Sequence, residues 1–157
     1  MIVVADTAPI NYLVLIGEAD VLRALYGRVL IPTSVQTELT HNLTPPAVRD
    51  WIRHAPVWLE VLAPLPITDP ALARLDAGER DAIVLAEEMG ADLLLIDEMK
   101  GRNVAEDRGL AVTGTLGILR DAASLGLTHL SSALERLRET SFHLSPELYD
   151  RFRREAQ

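Results

Sequence analysis

The sequence predicts an α/β fold: a three-layer sandwich with a central parallel sheet. Short β-branched or aliphatic runs alternate with helical patterns along most of the chain, an alternation that implies βαβ units with right-handed crossovers. The strongest run, DLLLIDE, places four apolar residues in a row, as suits a strand buried on both faces of a parallel sheet. At 157 residues the chain is long enough for one domain with a substantial core. We read residues 1–157 as a single domain, with helices in 128–157 packed onto it.

Element by element, IVVA (Ile2 to Ala5) is a strand, followed by a helix with Pro9 in its first turn and Ile10, Leu13 and Val14 on one face. Leu15, Ile16, Val21 and Leu22 are apolar outside that stripe, so this helix must be buried on more than one side. RVLIP is a second strand closed by Pro32. TSVQTELTHN begins a helix at Thr33, with Gln36 at capping-box spacing. Pro45-Pro46 separates it from the helix AVRDWIRHA. VWLEVLAPL is a third strand, ended by Pro64 and Pro66. DAGERDAIVLAEEMG is the strongest helix, stopped by Gly90. After DLLLIDE come a helix in GRNVAEDRG, a last strand in LAVTG and a helix in TLGILRDAASLG. Two amphipathic stretches close the chain: Leu130, Leu134 and Leu137, then Leu144, Leu148 and Phe152 after a start at Ser145-Pro146.

Composition excludes several chemistries. With no Cys there are no disulfides, thiolate zinc sites or cysteine nucleophile. The apolar N-terminal run is broken by Asp6 and lacks a basic leader, and no stretch approaches the ~18 apolar residues of a membrane span. A cytoplasmic protein is the plain expectation. The net charge of −8 argues against passive nucleic-acid binding, yet is compatible with an acidic site that holds cations. There is no G-x-S-x-G. The histidines at 41, 54, 129 and 143 lack H-x-x-x-H spacing, and His41 lies three residues after Glu38.

The carboxylates carry the functional signal. Asp6 ends the first strand and Asp97 ends the LLLI strand, so in one parallel sheet both reach the same edge, where α/β sheets bind ligands. Each alone has a turn or N-cap reading. Glu38 and Asp81 each fall in the second turn of a helix, where the dipole favours negative charge. In Asp76-Ala-Gly-Glu79 the capping-box spacing assigns Glu79 to the cap and leaves Asp81 without a structural task.

The order MIVVADTAPINYL, IPTSVQTEL, GERDAIVLAEEMGADLLLIDE and VTGTLGIL resembles the PIN-domain family, closest to the branch related to toxin–antitoxin ribonucleases. The resemblance runs to about Leu119 and extends to the C-terminal helices. It implies that Asp6, Glu38, Asp81 and Asp97 gather around divalent metal, with Asp97 favoured as ligand and Glu98 as its substitute. Thr7 and Asn11 are similar to family residues that line the site; a helix cap and a solvated position are their other readings. Ala8 stands where many active members have a small polar residue.

Oxygen-only ligands suit Mg²⁺ or Mn²⁺. The function expected is metal-dependent hydrolysis of RNA, as the toxin of a toxin–antitoxin pair. The alternative is a non-catalytic PIN-like interaction module. Receiver and haloacid-dehalogenase readings fail, because Asp6 has no acidic neighbour at the required place and VTGTLG has no Lys. Lys100 and Arg102 could grip flanking phosphates or simply face solvent. Trp51 and Trp58 could stack bases or pack the core. The resemblance and the apolar first helix together suggest a homodimer and an antitoxin that supplies Arg or Lys to the carboxylates.

Overall fold

A computed structural model describes residues 1–66 and 68–156. Five parallel strands form one sheet in the order β3-β2-β1-β4-β5: β1 (Val3–Ala5), β2 (Val29–Pro32), β3 (Leu59–Leu62), β4 (Leu93–Leu95) and β5 (Val112–Thr113). Nonconsecutive β1 and β4 lie side by side, with Val3 opposite Leu93 and Ala5 opposite Leu95. Strand order reverses between them, which is the place where such sheets open a crevice beyond their carboxyl ends.

Alternate residues of each strand serve opposite layers, as the period of two requires. Val3, Ala5, Val29, Ile31 and Leu95 pack on one side against α1 (Thr7–Leu15), α2 (Asp20–Tyr26), α3 (Thr33–Leu39), α4 (Pro46–Arg53), α7 (Thr115–Ser124), α8 (Leu130–Arg138) and Phe152 of α9 (Pro146–Glu155). Val4, Leu30, Leu94 and Ile96 pack on the other against α5 (Ala77–Met89) and Ala105 of α6 (Met99–Asp107). The three-layer α/β/α sandwich is the predicted architecture.

Two elements differ from expectation. The apolar stretch after Ile10 is two helices, because Gly17 adopts φ 76° and turns the chain between α1 and α2. That positive φ is open to Gly at little cost. Ile10, Leu13, Ile16, Val21 and Leu22 are all buried within one copy, while Val14 and Leu15 are half-buried. Thr33 does not cap α3: Pro32 occupies the N-cap position, no side chain caps it, and the Thr33 hydroxyl donates to the Leu62 carbonyl at 3.4 Å. Among the described residues no helix is long and apolar enough to cross a membrane.

Candidate metal centre

Asp6 and Asp97 both line a cleft of about 1030 Å³ at the switch between β1 and β4. The backbone ties them together there, since the Asp6 amide donates to the Leu95 carbonyl at 2.9 Å. Asp6 occupies the N-cap position of α1 but makes no side-chain cap, so the capping account of this residue fails. Its side chain is 6 % exposed, and Oδ1 is buried without any hydrogen-bond partner. A buried polar atom left unpaired is costly, and at a cleft it marks a place for a ligand. Burial above all pushes the Asp6 carboxyl up to about 8; the Thr7 amide opposes this, and the charges of Asp76, Glu79 and Glu38 add to it.

Asp97 is held differently. Both of its oxygens are occupied by one residue, Thr115, whose amide donates to Oδ1 at 2.7 Å and whose hydroxyl donates to Oδ2 at 2.6 Å. Thr115 is the first residue of α7 and fully buried, so the carboxylate sits where that helix dipole favours negative charge. Burial raises the Asp97 pKa, against the two Thr115 bonds and the Arg102 charge, while Glu98 raises it further. Gly114 makes room: a Cβ there would fall 2.6 Å from Asp97 Oδ1.

Glu38 reaches the same cleft from α3, where the Thr7 hydroxyl donates to its Oε2 at 2.5 Å. A Cβ on Gly78 would lie 2.6 Å from Glu38 Oε1 and 3.0 Å from Asp6 Oδ1. Those two oxygens are therefore no further apart than the two distances together. The bare backbone at Gly78 forms the cradle on which they meet.

Of the acids within α5, Glu79 and not Asp81 lines the cleft. Glu79 lines the cleft and is 7 % exposed; Asp81 lines a separate depression beside Pro64, Leu65 and Asp69, and pairs with Arg80 at 3.8 Å. Two residues along a helix rotate a side chain by about 200°, so only one of this pair can face the cleft. Glu79 also completes the expected capping box: its amide donates to Asp76 Oδ1 at 2.8 Å and its Oε2 accepts the Asp76 amide at 3.3 Å. The cap and the cleft share one side chain. Burial first, then Asp76, raises the Glu79 pKa, while Lys100 lowers it.

The remaining candidates divide. Thr7, Asn11, Glu98 and Arg102 line the cleft, as does Ala8. Lys100 does not; its ammonium donates to the Arg74 carbonyl at 2.9 Å, because α6 turns it toward the segment before α5. Trp51 and Trp58 pack together with ring centroids 6.0 Å apart in the core, away from the cleft. Thr115, Glu79 and Asp76 are the site residues that spacing missed. For Thr115 a signal existed in Gly-Thr before an apolar helix, but its partner lies 18 residues away.

Among the described residues no three Asp, Glu or His side chains stand in ready-made ligating geometry. The residues nonetheless fit a divalent ion: the donors are all carboxylate oxygens, Asp6 Oδ1 is unpaired, and the Gly78 cradle brings it against Glu38. Thr115 is decisive for the orientation of Asp97. Thr115→Val, which leaves Oδ2 without its donor, is expected to cost about 1–3 kcal/mol, whereas Thr115→Ser should stay near wild type. Chemical denaturation of the three proteins checks this, and equal losses in both variants would assign the cost to packing instead.

A family model described as a PIN domain matches residues 2–157. Comparison with curated proteins gives no match.

Proposed function

The chain belongs to the PIN-domain family, whose members are generally nucleases, and we propose that it is a metal-dependent ribonuclease, the toxin half of a toxin–antitoxin pair. The observation that supports this most is the buried, unpaired Asp6 oxygen facing Glu38 across Gly78. Clustered carboxylates repel unless protons or cations neutralise them.

Asp6, Glu38, Glu79 and Asp97 would hold Mg²⁺ or Mn²⁺. The bound ion supplies charge neutralisation and Lewis-acid polarisation of a phosphodiester. Thr115 fixes the plane of Asp97, and the Thr7 hydroxyl holds Glu38 at the cleft. With its carboxyl pushed up to about 8 by burial, Asp6 would hold a proton at neutral pH and would give it up on becoming a ligand. Arg102 faces the cleft beside Asp97, with its Nε buried and unpaired, so its guanidinium is placed for a phosphate oxygen.

Millimolar Mn²⁺ should raise the melting temperature, by about 5–10 °C at a hundredfold excess over Kd. A quenched single-stranded RNA should be cleaved with Mn²⁺ or Mg²⁺ and not with EDTA. Absence of both responses would sink the reading. The second reading, a non-catalytic interaction module, is favoured by Ala8, which brings no polar group to the cleft wall. A melting rise without cleavage would select it.

We extend the proposal to a homodimer, blocked by an antitoxin segment that places Arg or Lys among the carboxylates. A monomeric mass in light scattering across micromolar concentrations would reject the dimer.

A further inference from the structure

The cleft that is acidic at its floor is basic along one wall. Arg102, Arg120 and Arg151 line it, in a chain whose net charge is −8. None of the three takes part in the ion pairs of the described residues. Arg120 from α7 and Arg151 from α9 flank one ring: their guanidinium carbons lie 5.8 and 5.9 Å from the Phe152 centroid. Phe152 is itself 6 % exposed, so a core residue anchors both cations while their own side chains stay exposed. Beside them Tyr12 meets Phe142 edge-on at 5.0 Å, and its hydroxyl shares a 3.0 Å hydrogen bond with Ser141. Both rings line the same cleft.

We propose that Arg120 and Arg151 hold the backbone of a single-stranded nucleic acid, gripping phosphates next to the one delivered to the carboxylates. Two cations 5.8 and 5.9 Å from one ring centroid are close enough together to contact neighbouring phosphates of one strand. The half-buried Tyr12–Phe142 pair gives a base an apolar face along the way. The acid floor is recessed, with Asp6 almost fully covered, so a strand must enter without a paired complement in its path. The acidic chain thus needs no basic exterior: three arginines on this one wall supply the local positive charge. Only the position of the reacting phosphate rests on the nuclease reading; strand holding does not.

The test is fluorescence anisotropy of fluorescein-labelled 12-mers of oligouridylate and oligodeoxyuridylate with the full chain, in EDTA, over a range of salt. Arg120→Gln with Arg151→Gln should weaken binding on the order of tenfold at 0.1 M salt and reduce the slope of log K against log salt by about 1.4, at about 0.7 per phosphate contact. Arg120→Lys with Arg151→Lys should recover most of the affinity, which separates lost charge from lost folding. Arg153→Gln with Arg154→Gln removes the same amount of charge from α9 outside the cleft and should change little. A response with one probe alone would identify the sugar and still support the wall. Equal losses in the two Gln pairs would overturn it, as would no binding of either probe by the wild type. Unchanged affinity in the first Gln pair would overturn it too, and leave these arginines to an acidic protein partner. Retained binding without any metal-dependent cleavage would remove the catalytic reading and keep the strand-holding wall.

Discussion

Asp6→Asn is expected to stabilise the metal-free protein and to abolish its response to Mn²⁺. The Asp6 carboxyl titrates at about 8 in the folded chain against an ordinary value of 3.8. Between those values the folded state binds more protons than the unfolded one, so stability falls as pH rises through that window and levels off above about 8. Asn does not titrate, so the variant should show a flatter curve and a lead that widens with pH. At about 1.4 kcal/mol per unit of pKa difference, the lead at pH 8 is at most ~6 kcal/mol. Saturating Mn²⁺ should reverse the order, because only the wild type can exchange its proton for the ion. Cleavage should fall by at least about a hundredfold, the upper range for losing even a residue that merely orients a ligand. Urea denaturation from pH 4 to 9, with and without Mn²⁺, reads all of this. Parallel curves for the two proteins would remove Asp6 from the centre of the site.

Glu79→Gln and Asp81→Asn should separate completely. Gln keeps an oxygen for the Asp76 amide and is itself a capping-box residue, so the start of α5 survives while the cleft loses a charge. The Mn²⁺ rise in melting temperature and the cleavage rate should both collapse. Asp81→Asn gives up only a half-exposed pair with Arg80 at 3.8 Å, worth about 0–1 kcal/mol, and both readouts should match wild type. The opposite pattern would return Asp81 to the site.

That contrast shows how far the residues can be read without coordinates. The central strands were legible because Val3–Ala5 and Leu93–Leu95 are unbroken apolar runs, the composition of a strand covered on both faces, bounded closely by polar residues. Asp6 and Asp97 followed from where those runs end. The acid of α5 did not, because spacing gives the period of a helix but not its rotation about its own axis. Capping-box spacing gives Glu79 a structural task, yet a carboxylate can accept an amide and still face a cleft. Thr115 was missed because it works on Asp97 from a different strand–helix junction. The break at Gly17 was hidden by an apolar pattern that continues on both sides of it. Lys100 and Arg102 sit two residues apart on α6, so the same rotation that brings one to the cleft takes the other away.

The pairing of β1 with β4 also sets a timetable. The strand that carries Asp6 is made first, but its neighbour is made some 90 residues later; Asp92 accepts the Ile2 amide across that separation. No shorter nascent chain contains the complete cluster, and Asp97 lacks its Thr115 clamp until α7 has begun. At roughly 5–20 residues per second of synthesis, a ribosome making this protein holds an inert chain for several seconds after Asp6 has appeared. If the chain cleaves RNA, its own message is read past the codons for most of the domain before the first competent molecule exists.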